Sequence, residues 1–451
     1  MRVLWVKAPF VLRRHPAVLA AITLMSLLAA LAAASSPLVR AAVQSESLKG
    51  QLRVMSPLSA GFEVQTAYAP LRLDTARRAA ATRLARRLPF VGPAVVSSEI
   101  DQLSIANPSG PGVAVTAMAR KGAIAHVHHL TRPSGNGVWI SSLTAQLTHL
   151  RPGGTLLLTV YAVGGKPPPV VRLRVAGIYQ RLDTDFDNPY WTNWLRAIVP
   201  ASADAPPQPQ FVLMSESTFL RVARTFAQRD LFAGYVQNRY EFPVDPAGLT
   251  FTGAKGLLRR FAQLRSDILR PGSPLGRSLG CSGDTRGGGC TTSSSLDAAL
   301  TIAGNDVAAV APTISLLSGC GIAIALALCL AAGIFLVRRR SDEVHVVYTR
   351  GESVASFAAR TALEAVLPAA AGAACGLGIA LLVLRAVAPQ GSIAGGSVTA
   401  AALRALAGWA AAVACVALGG GAAYPRRPSP ERRRLTSRVP WEAVPIAAAA
   451  A

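Results

Sequence analysis

Charged side chains are scarce in this sequence. They make up 15% of its 451 residues, where soluble domains average about 25%. Acids are scarcer still, 23 Asp and Glu against 46 Lys and Arg, for a net charge of +23. Aromatics are only 6%. With 51% hydrophobic residues and a mean hydropathy of +0.36, the chain is not expected to be wholly soluble. The basic excess has no aromatic-interleaved stripe of the kind that reads nucleic acid; arginine is the common flank of membrane segments, and no nucleic-acid partner is expected. Several catalytic signatures are missing. There is no G-x-x-x-x-G-K-[ST] phosphate loop, so the chain does not supply its own P-loop ATPase. There is no H-E-x-x-H or C-x-x-C. No nucleophile–base constellation is readable, so the chain is not read as an enzyme, and no cofactor is expected.

What is abundant is long apolar sequence. Four segments meet the length of ~20 mostly apolar residues that a bilayer requires. The first, "AVLAAITLMSLLAALAAA", lies within a span drawn at 17–43; it resembles a signal peptide but is read as an uncleaved helix, because three later spans already place the chain in a membrane. Those spans are 313–337, 362–386 and 402–424. They are rich in Ala and Gly, which let helices approach closely in lipid. Ionisable groups inside them are few: Glu364 near one end of the third, with Arg385 and Arg404 near the opposite ends. An ion-coupled transporter carries such groups at mid-depth, and no such pathway is readable.

The cations fix an expected orientation. Arg2, Lys7, Arg13 and Arg14 precede the first span. Arg338, Arg339, Arg340, Arg350 and Arg360 follow the second, and Arg426 to Arg438 follow the fourth. The positive-inside rule then makes 1–16, the loop 338–361 and the basic tail 425–451 cytoplasmic. A multi-pass plasma-membrane protein follows, with both termini inside and residues 44–294 outside.

The outside region reads as an α+β domain. "PAVVSSEI", "GVAVTAMA", "GVWIS", "TLLLTVYAV" and "VVRLRVAGIYQ" read as strands; Val171, Leu173 and Val175 alternate with Arg172 and Arg174, as in a half-buried strand. Helical spacing marks 70–88, "SLTAQLTHL" and the stretch after Ser215, a candidate N-cap. Residues 201–209 read as a flexible loop. Residues 295–312 read as a stalk helix running into the second span, with Pro312 as a point of bending. Cys281 and Cys290 bracket a Gly-rich loop and read as a disulfide, with free thiols or a metal pair as the alternatives. His126, His128 and His129 are a metal candidate if a strand puts the first two on one face. No acid or thiol sits close by to complete the site, and surface histidines are the plainer reading. "DTDFDNPYWTNW", 183–194, lacks the Gly and the closing Glu of a calcium loop and reads as an exposed loop or an aromatic contact surface.

The layout of one helix, a large outside domain and three more helices resembles the MacB/FtsX/LolC-type permeases of ABC systems. Arg338 to Arg340, Glu343, Arg350, Gly351, Glu364, Ala365, Gly372, Gly376 and Gly378 match that family's pattern of basic cluster, acid, R-x-x-G, E-A and spaced glycines, although "VVYTRGES" fits it loosely. Outside, "VWISSLTAQLTHLRPGGTLLL…VRLRVAGIY" is similar to the family's core domain. The resemblance covers roughly 135–180 and 313–385, and the rest by layout. It implies a permease subunit whose loop, through Arg338, Arg339, Arg340, Glu343, Val346, Arg350, Gly351 and Glu352, docks on a cytoplasmic ABC ATPase dimer. It also implies motion passed to the outside domain and a second permease copy or half in the same bilayer. The chain is then either the N-terminal half of a longer actinobacterial member or a complete half that dimerises. From the residues alone, a short helix with Val344, Val346 and Val347 could seat in a partner groove or lie on anionic headgroups. The alternative function is a non-transporting regulator whose outside domain acts on a cell-wall hydrolase or senses a peptide.

Overall fold

The computed structural model describes residues 16–66, 69–70, 75–106, 112–160, 169–185, 187–199, 210–227, 235–281, 289–387 and 395–424. The N-terminal cations, the loop 201–209 and the tail 425–451 lie outside the described residues. The chain divides into two compact units.

The first unit contains residues 1–41, 310–389 and 395–451. Among the described residues four helices are long and apolar enough to cross a membrane, and the chain is a membrane protein on that ground. They are α1 (Pro16–Val54), α6 (Leu296–Arg339), α8 (Val354–Val387) and α9 (Gly395–Ala423). All run beyond the apolar stretches read from sequence, because polar residues continue the helical pattern at their ends; Pro37, Pro312 and Pro368 sit inside helices without ending them. The bundle core is small side chains: Val18, Ile22, Cys329, Leu336, Ala365, Ala369, Ala412 and Val416. Glycine brings the backbones together. A methyl on Gly372 or Gly376 of α8 would collide with the carbonyl oxygens of Thr23 or Leu27 in α1, and one on Gly333 or Gly419 would do so between α6 and α9. Such approaches let van der Waals contact hold helices in lipid, where no hydrophobic drive operates. Ser26 Oγ donates to Ala369 O at 2.8 Å across the same seam.

The second unit, essentially 42–309, lies in sequence between the first two spans and is built on a ten-stranded mixed sheet. Its strands are β1 (Phe62–Gln65), β2 (Ala69–Pro70), β3 (Val95–Ile105), β4 (Val113–Arg120), β5 (Val138–Ser141), β6 (Thr155–Val160), β7 (Val171–Tyr179), β8 (Gln210–Leu213), β9 (Tyr235–Phe242) and β10 (Thr291–Ser293). The order is β10-β1-β9-β3-β4-β8-β5-β7-β6, with β2 on β9. β6 also pairs with β3, so six strands close on themselves. β3 serves both arms by bending. Residues 95–99 pair with β9 and 103–105 with β6, either side of Gln102, a bulge residue with φ of 60°; a bulge re-aims a strand in this way. β4 and β8 run parallel, as do β5 and β7.

The helices of this unit are α2 (Thr75–Arg87), α3 (Ser142–Thr148), α4 (Glu216–Ala227) and α5 (Phe251–Leu269), with shorter turns between. Ser141 caps α3, and Ser215 caps α4 by accepting from Thr218 N at 3.3 Å. Ile100, Val115, Ile140, Leu158, Val175 and Val212 from the closed strands meet Phe219, Val222 and Phe226 of α4 in one core. A second core joins β1 and β9 to α2, α5, Leu48 and the first turns of α6. Cys281 and Cys290 form a disulfide, S–S 2.01 Å, and Cys290 packs into this second core.

Candidate functional site

The stretch after the second span forms its own helix, α7 (Ser341–Thr349). Asp342 and Glu343 occupy its first turn, where the helix dipole favours acids. Gly351, at φ of 78°, turns the chain out of it. Ser353 then starts α8, its Oγ accepting from Ser356 N at 3.2 Å. Val344 is the buried face of α7; it packs with Val337, Phe357 and Tyr424, flanked by Val347 and Tyr348. Tyr424 Oη donates to Glu352 O at 3.1 Å, which ties the end of α9 to the same turn. Sequence reading put Val344, Val346 and Val347 together on a partner-facing surface. The helix phase separates them, since Phe357 and Tyr424 take up Val344 and leave Val346 half exposed, at 50%.

Arg340 turns inward. Its Nη1 donates to Glu364 Oε2 at 2.8 Å, and Arg360 Nε lies 3.4 Å from Glu364 Oε1. Glu364 is therefore gripped by one arginine from the end of α6 and by one a helical turn earlier on α8. Nε and Nη2 of Arg340 have no partner among the described residues, and Arg340 lines a cavity of about 30 Å³ together with Glu343, Val347 and Arg360. The clasp fixes the angle at which α6, α7 and α8 meet. Arg340 thus serves the chain's own packing. Arg338, Arg339, Glu343, Val346, Arg350 and Gly351 are exposed, and Glu352 is half buried, accepting from Ser356 Oγ at 2.8 Å. Sequence reasoning missed Arg360, Phe357 and Tyr424 as supports; the i,i+4 spacing of Arg360 and Glu364 was the available signal.

A second polar concentration lies on one face of the sheet. Arg120 ends β4 fully buried and pairs with the equally buried Glu241 of β9. It also donates to Ser97 Oγ at 2.9 Å and to Tyr190 O at 2.8 Å. Arg239 lies over the Trp194 ring at 3.8 Å from its centroid, donates to Asn193 O at 2.9 Å and sits 3.4 Å from Glu63. Asn193 Nδ2 donates to Glu241 Oε1 at 3.0 Å. The segment read as an exposed loop is thus a cover. Trp191 and Trp194 are each 1% exposed, because the buried Arg120 and the half-buried Arg239 need π faces and carbonyls that water cannot supply there. Burial, with Asp101 beside it, lifts the Glu99 carboxyl to about 8, and burial likewise raises Glu63. The histidine run is not a strand pair either. Ala123–His126 is a single 3-10 turn; His126 stacks on Tyr190 and His129 on Trp139. No group of three metal-binding side chains occurs among the described residues.

No family model matches this chain. No curated protein matches it either. Among solved structures, a domain of a candidate permease protein from Porphyromonas gingivalis is similar at 10% identity over 52% of this chain and 90% of that one, with a TM-score of 0.25. A likeness that loose carries no argument about this protein.

Proposed function

We propose that the chain is the permease subunit of an ABC system, in which α7 takes up the motion of a separate cytoplasmic ATPase dimer and the helices pass it to the domain outside. The observation that carries this reading is the mounting of α7. It is a short amphipathic helix between two spans, anchored by Val344 on Phe357 and Tyr424 and braced by the Arg340–Glu364–Arg360 clasp. A push on its exposed side, Glu343, Val346 and Arg350, would be transmitted to α6 and α8 without being lost in side-chain rearrangement. The mixed charge and single apolar residue on that side suit a groove with a polar rim. The resemblance of 338–378 to the MacB/FtsX/LolC-type pattern supports the same role, and two permease copies or halves would be needed to face two ATPase subunits.

Co-purification with a separately encoded ABC ATPase from the same organism tests the reading. Val346→Ala and Arg350→Ala should each weaken ATPase association and leave permease stability unchanged. Val344→Ala should instead destabilise the permease by about 1–3 kcal/mol, the cost of a cavity left by a truncated buried side chain. Unchanged association in Val346→Ala and Arg350→Ala would remove α7 from the coupling role.

A further inference from the structure

The sheet domain holds a second feature, which does not depend on the coupling role. β4 and β8 are parallel, with Val115 opposite Gln210 and Met118 opposite Leu213, so both strands end at the same edge. In open α/β sheets, ligands bind in crevices beyond the carboxyl ends of the strands, where neighbouring chains diverge. Here they do diverge. β8 passes through Ser215 into α4, while β4 turns through Gly122, at φ of 85°, into the 3-10 turn Ala123–His126. α2 forms the third wall. The cleft between them has a volume of about 810 Å³, within the roughly 300–1,000 Å³ of small-molecule sites.

Its floor is mainly apolar, with Ala94, Val96, Ala119 and Met214 all buried, and the buried Arg120 also lines it. Its rim is charged. Arg78 of α2 reaches in from one side, and Lys121 stands exposed at the opposite lip. The rim carries one carboxylate, Glu216, and it is paired with Arg78. Behind Arg78, α2 adds exposed Arg83, Arg86 and Arg87 and carries no acid along its length. The cleft therefore combines an apolar floor with a cationic mouth, and its own acid sits on the best-placed cation.

We propose that this cleft binds a compact organic anion, a carboxylate or phosphate on a small apolar body, whose charged group replaces Glu216 on Arg78 and reaches Lys121 while its body rests on Val96, Ala119 and Met214. Glu216 holds Arg78 in place and competes with the ligand for it. That competition gives the proposal a signature that a merely structural ion pair lacks.

The test is calorimetric titration of the full chain in nanodiscs with phenyl phosphate, with inorganic phosphate and phenol as separate arms. Phenyl phosphate should bind saturably, one per chain, and about tenfold or more tighter than either fragment. Glu216→Gln should tighten it several-fold by removing the internal competitor. Arg78→Gln and Lys121→Gln should weaken it, the first by about tenfold. Lys121→Gln, lying outside the ion pair, keeps the test valid if Arg78→Gln fails to fold. The proposal is overturned if phenyl phosphate shows no saturable binding, or if phenol or inorganic phosphate binds as tightly. It is also overturned if Glu216→Gln weakens binding along with Arg78→Gln, the mark of a pair that only holds α2 to α4.

Discussion

Gly372, Gly376 and Gly378 lie on one helix and make opposite predictions. A methyl group built on Gly372 comes closer than 3.0 Å to Thr23 O and to 3.0 Å from Leu27 N; one built on Gly376 meets Leu27 O in the same way. An ordinary C···O contact is about 3.3 Å or more, so α1 and α8 must part by a large fraction of an ångström along the seam that Ser26 also bonds. Overpacking of this kind costs about 1–3 kcal/mol. Alanine returns about 0.5–1 kcal/mol of helix propensity, leaving a net loss of roughly 0–2.5 kcal/mol for Gly372→Ala. Gly378 faces open space among the described residues, so Gly378→Ala should gain the propensity term alone. The two variants share that term, and the difference between them reads the cost of separating the helices. Reversible unfolding in mixed micelles, titrated with a denaturing detergent and followed by helicity and by Trp409 fluorescence, measures it. If Gly372→Ala and Gly378→Ala shift the midpoint in the same direction by the same amount, α1 and α8 do not pack backbone to backbone.

Three further outcomes are expected. Glu241→Gln leaves the buried Arg120 guanidinium short of its counter-charge and should cost about 3–5 kcal/mol, seen as a large drop in the unfolding midpoint; replacing both partners together with apolar residues should cost less. Reducing the Cys281–Cys290 bridge, which closes a separation of nine residues, should lower stability by about 2–3 kcal/mol, with no effect in a Cys281→Ser/Cys290→Ser double variant. Glu99, raised to about 8 chiefly by burial and then by Asp101, binds its proton more tightly folded than unfolded, where a carboxyl titrates near about 4.3. Its contribution is therefore fully present below the unfolded value and lost as pH climbs through about 8. Arg239 and Glu63 also act on this group; the Tm advantage of Glu99→Gln over the native chain should widen between pH 5 and 8, and parallel Tm curves would refute the assignment.

Features set by local periodicity were readable in advance. The apolar runs gave the four long helices, and the alternation of Val171, Leu173 and Val175 with Arg172 and Arg174 gave β7. Ser215 before a helical pattern gave the cap of α4. What was not readable depended on partners far along the chain. The Trp191–Trp194 segment looks like a polar loop until Arg120 and Arg239 are placed under it by strands that start nearly eighty residues before it and about forty after. The phase of α7 cannot be read from Val344, Val346 and Val347, because three valines in four positions leave both faces apolar until Phe357 and Tyr424 choose one. The parallel pairing of β4 with β8, and the cleft at their shared edge, joins segments about ninety residues apart that no motif links. In each case the sequence supplied the residue types and tertiary contact decided their use.

The account rests on α7 lying on the cytoplasmic side, where an ATPase can reach its exposed face. The most direct test places a single free cysteine at exposed His345, in a chain whose Cys320, Cys329, Cys375 and Cys415 are replaced by serine or alanine and whose Cys281 and Cys290 stay bridged. Labelling of His345→Cys by a membrane-impermeant maleimide should fail in intact cells and succeed in inverted vesicles. Labelling in intact cells by the impermeant reagent would contradict the orientation, and with it the coupling role.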